Sequence, residues 1–382
     1  FSSDEAVIEA QKGNAVVLVR RETTPEDIHG MKVAEGILTE LGGMTSHAAV
    51  VARGMGVCAI TACNGLSIDY DAGTATTADG VVISRGDVIT LDGTAGEVML
   101  GDIPKTEASS SDDFQVLLSW ADKHRRLKVR ANAETPEDAR KARELGAEGI
   151  GLCRSEHMFF EADRIDLMRG MILASSKKER KKYLAELQKF HHADMLELFR
   201  VMDGLPVTIR LLDPPLHEFL PHSEEDMLAL SKRIDKPIAE IREATESLAE
   251  VNPMLGFRGC RLSVVYPEIT KMQVEAIIGA AAEAVDLGLK PAPEIMIPLV
   301  VNVREIRLVS EIIEKGIHKV LKERSISFPY KIGTMMETPR ACLGADRLAS
   351  AVEFMSFGTN DLTQMTYGFA RDDAGTFIPQ YL

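Results

Sequence analysis

From residue 127 onward the sequence alternates between short apolar runs and long charged segments of helical spacing, and this alternation most narrows what the chain can fold into. The short runs are Leu127–Ala131, Gly149–Leu152, Val207–Leu212, Leu255–Phe257, Ile295–Val300, Ile332–Met335 and Phe354–Phe357. Lys177–Phe199, Met227–Val251 and Val303–Lys322 lie between them. A strand followed by a helix and then a strand makes the strands parallel, because each helix returns the chain along the sheet. At this length the closed form is a (β/α)8 TIM-type barrel, with an open doubly wound sheet as the alternative. Seven strands can be counted and an eighth cannot. The expected barrel, residues 125–382, is therefore incomplete, truncated before its last strand.

The chain reads as α/β throughout, but its first hundred residues are richer in glycine and short β-branched runs. Ala15–Val19 reads as a buried strand leading to a helix start at Thr23–Asp27, where Thr and Pro suit a first helical turn. Val57–Ile60, Ala75–Thr77, Val81–Ile83 and Val88–Leu91 are further strands, punctuated by Asp79-Gly80 and Asp92-Gly93 turns. Residues 1–102 thus form a first β/α domain, and 103–124, with its polar Ser109–Asp113 run, a linker to the barrel.

A formal net charge of −14 argues against nucleic acid and membrane surfaces as partners, since both favour basic proteins. Five cysteines are scattered without a CxxC pair, the usage of reduced thiols in a cytosol-like compartment. No apolar run approaches the ~18 residues that span a bilayer, and Phe1–Glu5 has neither the basic nor the apolar part of a signal peptide. The expected location is the cytoplasm, or an organelle whose targeting signal is not in this chain. The opening without Met and the motif-dense end make the chain read as a fragment.

Charged residues gather where the expected barrel strands end: Arg154-Ser155-Glu156-His157, Arg210 to Pro215, Phe257 to Arg261, Gly333 to Glu337 and Gly358 to Asp361. In a barrel these converge on the C-terminal mouth, where this fold builds active sites. Guanidinium forks there can bind phosphate and carboxylate bidentately. Glu337 and Asp361 offer hard oxygen ligands for Mg²⁺. A second constellation lies in the first domain, Gly42-Gly43-Met44-Thr45-Ser46-His47 running into the apolar Ala48 to Arg53. Thr45 and Ser46 are N-cap candidates, and an imidazole at a helix start can take a phosphoryl group whose charge the helix end favours. The run Lys177–Lys182 reads as a solvated helix face, His191 and His192 splay apart on a helix, and Met335 and Met336 read as core. The glycines form no GxGxxG fingerprint.

The segment around His47 resembles the phosphohistidine signature of the phosphoenolpyruvate (PEP)-utilising enzymes. Gly151 to Phe160, Arg210 to Pro221, Asn252 to Leu262, Ser356 to Met365 and Gly368 to Gly375 resemble the pyruvate phosphate dikinases among them. The resemblance implies a swivelling phosphohistidine domain followed by the barrel, and interconversion of ATP, phosphate and pyruvate with AMP, diphosphate and PEP. It implies His47 as the phosphoryl carrier, and Arg154, Arg210 and Arg258 as holders of phosphoryl group and substrate. Glu337 and Asp361 match the Mg²⁺ ligands, while Gly358, Thr359 and Asn360, beside Asp361, match positions around the substrate. Thr45 matches a regulatory phosphorylation site of plant members. ATP and phosphate would act through an N-terminal ATP-grasp domain missing from this chain, and the family's C-terminal cysteine motif is missing too. The full-length family is commonly dimeric through its barrel, so a homodimer is expected. A PEP synthase or enzyme I-like phosphotransferase, and a catalytically silent phosphocarrier, are the alternatives.

Overall fold

The computed structural model describes the chain except residues 25–26, 44–45, 64, 71, 105–111, 162, 251, 371–373, 375–376, 379–380 and 382, with backbone alone at 50, 53–54, 112–115 and 253. The chain divides into two units, Phe1–His124 and Arg125–Leu382.

In the first unit, β1 (Val17–Arg20), β2 (Gly36–Thr39) and β3 (Cys58–Ile60) form a parallel sheet in that order. Leu18, Ile37 and Leu38 are almost wholly buried, so this sheet is the unit's core and the helix His47–Met55 packs on it through Ala48 and Ala52. β4 (Ser67–Asp69), β5 (Thr74–Thr76) and β6 (Val82–Ser84) are antiparallel, as are β7 (Ile89–Asp92) and β8 (Glu97–Leu100). Asp92 closes the last turn by accepting from the amides of Thr94 (2.8 Å) and Ala95 (3.0 Å), the Asx chemistry that its sequence suggests. The α-helix that follows the expected start runs Ile28–Val33, and ahead of it the Asp27 carboxylate accepts from the Ser3 hydroxyl (2.6 Å) and the Thr24 amide (3.0 Å); residues 25–26 of that start lie outside the described residues.

The second unit is built on a curled, all-parallel sheet of β9 (Ala131–Asn132), β10 (Ile150–Arg154), β11 (Pro206–Arg210), β12 (Ala292–Ile297), β13 (Lys331–Met336) and β14 (Phe354–Phe357). Spatial order follows chain order without a reversal, as in a barrel and unlike a doubly wound sheet, whose order must reverse at a switch point. Helix Pro267–Asp286 packs behind the strands. Its Ala280-Ala281-Ala282 run and Ala284 are fully buried and allow close approach to the long helices Lys177–Val201 and Val303–Arg324.

Two expected strands need correction. Leu127–Val129 lies outside the sheet, with Leu127 84% exposed, and only Ala131–Asn132 pairs. Leu255–Phe257 is no strand: β11 pairs directly with β12 from Pro206–Ala292 to Arg210–Met296, so the ladder has no vacancy for it. Pro253–Leu255 is a 3₁₀ turn, and the chain then touches the ends of its neighbours through two amides. Gly259 donates to the Asp213 carbonyl (2.8 Å) and Cys260 to the Pro298 carbonyl (3.1 Å). Gly259 has φ +60°, and a Cβ there would stand 2.7 Å from the Leu299 Cβ, so only glycine suits the bend.

The N-terminal end of the sheet is closed by Glu294, almost fully buried, which accepts from Arg130 (2.5 Å) and Thr208 (2.7 Å) and pairs with Lys331 (3.2 Å). Burial alone would raise its pKa, but these partners hold it below the usual range. The helix face read as solvated is only partly so, since Arg180 lies against Glu268 (3.0 Å) and over the Tyr266 ring.

His191 is fully buried against Phe159, and neither ring nitrogen has a hydrogen-bond partner among the described residues. Burial, with Arg164 and His192 nearby, pushes its pKa down to about 3. Between pH 6.5 and 3 the unfolded chain therefore binds a proton that the native state refuses, and stability falls as pH falls. His191→Leu should flatten the pH dependence of chemical denaturation in that window, by up to ~1.4 kcal/mol per pH unit. Identical slopes for the two proteins would mean that the native ring takes up its proton.

Candidate active site

At the C-terminal ends of the parallel strands of the second unit lies a cleft of about 560 Å³. It collects residues far apart in sequence: Arg154 ends β10, Arg210 ends β11, Glu337 follows β13, and Gly358, Thr359, Asn360 and Asp361 follow β14. Arg258 enters from the segment that displaced the expected fourth strand.

Arg210, its side chain 11% exposed, lies between two carboxylates, donating from Nη2 to Glu156 and lying 3.0 Å from Asp213 through Nη1. Its Nη1 also touches the Met335 sulfur (3.9 Å), so Met335 both lines the cleft and belongs to the buried sheet. Burial opposes the Arg210 charge, but Asp213 and Glu156 outweigh it and raise the pKa. Arg258 spans the mouth, with Nη2 at 2.6 Å from Asp213 and 3.2 Å from Asp361. Arg154 is more open and donates to Glu134 (2.7 Å).

Glu337 is 1% exposed. Its Oε1 accepts from the Leu299 amide at 2.6 Å. A Cβ on Gly358 would stand 2.5 Å from its Oε2, so glycine is what lets the backbone pass this carboxyl. Burial first, then the charges of Asp213 and Asp361, push its pKa up to about 8 against the opposing Leu299 amide and Arg210. Gly358 precedes helix Thr359–Tyr367, so Thr359, Asn360 and Asp361 form its first turn, where amides lack intrahelical partners.

Such a cleft can hold a small molecule with several negative oxygens. The arginines would trade their present carboxylate partners for it, and crowded carboxylates would welcome a cation. Sequence reasoning put Arg154, Arg210, Arg258, Glu337, Gly358, Thr359, Asn360 and Asp361 here, and the cleft brings all of them together. It did not single out Glu156 and Asp213 as site members. The signal was present in Arg154-Ser155-Glu156 and in Asp213 three residues beyond Arg210.

In the first unit, His47 is the first residue of helix His47–Met55 and half-buried. Ser46 caps this helix as expected, its Oγ accepting from the Ala49 amide (3.3 Å) and donating to the Gly43 carbonyl (2.8 Å). Thr45 lies outside the described residues. The ring Nδ1 is 2.9 Å from the hydroxyl of buried Thr23, a partner 24 residues away that the sequence did not flag. With the proton on Nδ1, the ring donates to Thr23 and Nε2 keeps a lone pair.

Among the described residues no helix is long and apolar enough to cross a membrane. Residues 13–96 match the mobile domain of PEP-utilising enzymes, and residues 108–379 their PEP-binding domain. The whole chain is 52% identical to pyruvate, phosphate dikinase of Clostridium symbiosum and 53% identical to that of Rhizobium meliloti, covering 44% and 42% of those proteins. It is 51% identical to chloroplastic pyruvate, phosphate dikinase 1 of Arabidopsis thaliana, over 40% of that protein. The chain thus spans less than half the length of these relatives, and with both domain types matched it belongs to the family of PEP-utilising enzymes.

Proposed function

We propose that this chain carries the phosphohistidine and the pyruvate/PEP site of a phosphotransferase of the pyruvate phosphate dikinase type. The observation that carries this reading is the gathering of Arg154, Arg210, Arg258, Glu337 and Asp361 around one cleft. Similarity to dikinases along the full chain supports the same reaction, ATP, phosphate and pyruvate to AMP, diphosphate and PEP. ATP and phosphate would be handled by the part of such a protein outside this chain. A homodimer, regulation at Thr45 and a reducing compartment, cytosolic or organellar, belong to the same proposal. The five free cysteines fit the last.

In this reading the first unit is the carrier and the second holds the substrate. Toward pyruvate formation, the Nε2 lone pair of His47 attacks the phosphorus of PEP. The bond from phosphorus to the enol oxygen breaks, and its electron pair leaves with the enolate, which takes a proton at C3. Arg210 and Arg258 align the phosphoryl group and neutralise its equatorial oxygens, and Arg154 supplies a further donor. Glu337 and Asp361 would hold Mg²⁺. Two carboxylates offer hard oxygen ligands to an ion that keeps positions for water and substrate oxygens. The pKa of Glu337 is raised by burial first and then by the charges of Asp213 and Asp361, and a cation beside it would favour the ionised carboxylate. When bound it supplies charge neutralisation at the phosphoryl and enolate oxygens.

With ³²P-labelled PEP and Mg²⁺, the chain should acquire acid-labile, base-stable label. His47→Ala, or removal of Mg²⁺ by chelation, should abolish it. No label on demonstrably folded protein would mean that this chain by itself is catalytically silent, and His47 that takes label without pyruvate forming would leave a phosphocarrier.

Arg210→Ala should slow transfer by about 3–5 kcal/mol in the barrier, the scale for unpairing a buried charged contact. Arg210→Lys should recover little, because a point charge cannot span Glu156 and Asp213 as the fork does. Near-normal labelling by either variant would remove Arg210 from the mechanism.

Gly358→Ala should drive a methyl into the Glu337 carboxylate and weaken Mg²⁺-dependent transfer at least ~10-fold, the scale for misplacing a site group. Calorimetric titration with Mg²⁺ alongside the rate would check it. Wild-type values for both would mean that Glu337 has room to move.

A further inference from the structure

The ion triad of Arg210, Glu156 and Asp213 needs something to hold its three backbone origins, and the sheet ladder does not do it alone. Pairing of β10 with β11 is irregular, with a register shift between Ile150 and Cys153 just before the strands end. Past Arg210 the chain turns to β12, where Leu211 donates to the Met296 carbonyl (3.0 Å). Behind these ends stands Gln273 of helix Pro267–Asp286, 1% exposed. Its Oε1 accepts from the Leu212 amide (2.9 Å), and its Nε2 donates to the Ser155 hydroxyl (2.8 Å). Ser155 Oγ in turn donates to the Arg210 carbonyl (2.7 Å). Every direction in this relay is fixed. The Leu212 amide can only donate, so the Gln273 oxygen must face it, the nitrogen must face Ser155, and the hydroxyl proton is left for Arg210.

We infer that Gln273 is a positioning residue for the Arg210 site, acting through Ser155 and Leu212. The relay grips each member of the triad at its backbone: Arg210 by its own carbonyl, Glu156 through its neighbour Ser155, and Asp213 through its neighbour Leu212. Within the triad, Arg210 Nε and Glu156 Oε2 are buried without a hydrogen-bond partner among the described residues. The guanidinium and the carboxylate therefore depend on where the backbone puts them. No other side chain of helix Pro267–Asp286 makes a described hydrogen bond to these strand ends.

The kinetic part of the test rests on the function proposed above, and the denaturation part does not. The variants are Gln273→Met, Ser155→Ala and their combination. Ile313→Val, in the core away from the cleft, is the control for stability loss, compared at matched fraction folded. Each relay variant should lower the maximal rate of phosphoryl transfer from PEP to His47 by about 10-fold or more, while the half-saturating PEP concentration changes less than about 3-fold. The double variant should be no slower than the slower single, because both break one relay. Unchanged rates in a system where the wild type is active, losses that multiply, or an equal loss in Ile313→Val would each overturn the inference.

If the wild type transfers nothing, the functional reading fails and urea denaturation decides. Should Gln273 hold Arg210 in its ion pairs, the midpoint shift caused by Arg210→Met shrinks to less than about half in the Gln273→Met background. Equal shifts in both backgrounds would overturn the inference without any appeal to catalysis.

Discussion

The cleft depends on a buried guanidinium held between two carboxylates, Arg210 with Glu156 and Asp213. An arginine this far out of solvent depends on its partners staying in place, because an unpaired charge there costs several kcal/mol, roughly 3–5 on removal of one partner of a buried pair. That constraint reaches outward. Asp213 is shared with Arg258, Arg258 is shared with Asp361, and Asp361 stands in the first turn of the helix after β14. One chain of ion pairs therefore links the ends of β11 and β14, strands that are not neighbours in the sheet.

The same chain of pairs explains how the cleft can be charged and yet poised. Every arginine in it already has a carboxylate, so an incoming phosphate or carboxylate must displace or share a partner. Burial first, and then the charges of Asp213 and Asp361, raise the Glu337 pKa, so this carboxyl ionises more readily once a cation is beside it. A divalent cation beside Glu337 and Asp361 would lower the cost of releasing Arg258 from Asp361 toward substrate. In the proposed reading, anion and cation thus favour each other's entry, and neither needs a large rearrangement of the sheet.

Much of this arrangement was legible in the sequence, for a definite reason. In a parallel sheet the functional ends of all strands face one way, so polar residues following apolar runs fall together once the alternation is recognised. Arg154, Arg210, Glu337 and Asp361 could be placed on that basis. Leu255–Phe257 could not, because three apolar residues satisfy a strand, a turn or a loop equally and no periodicity separates them. Thr23 and Gln273 were invisible for another reason. Each acts through a contact between residues 24 or 118 positions apart, and a threonine beside a turn or a glutamine on a helix looks like any exposed polar residue until its burial is known. Ser46 lay in the opposite category, since capping is local and its pattern is written within four residues.

What keeps Glu337 available is backbone rather than side chain. Leu299 is fully buried and has φ +58°, a left-handed conformation that costs a non-glycine residue roughly 1–3 kcal/mol. That conformation delivers its amide to Glu337, while its carbonyl accepts from the Cys260 thiol (3.2 Å). A glycine would relieve the strain but would forfeit the burial of a leucine side chain, worth about 1.5–3 kcal/mol. The two effects are of similar size, so packing can hold the strained backbone in place. Gly259 abuts the Leu299 side chain and Gly358 abuts the Glu337 carboxyl, each where a Cβ would collide. Strain at Leu299 and absent side chains at Gly259 and Gly358 therefore serve one end, a carboxyl that is buried yet reached by a single amide. That leaves its charge to be governed by what enters the cleft.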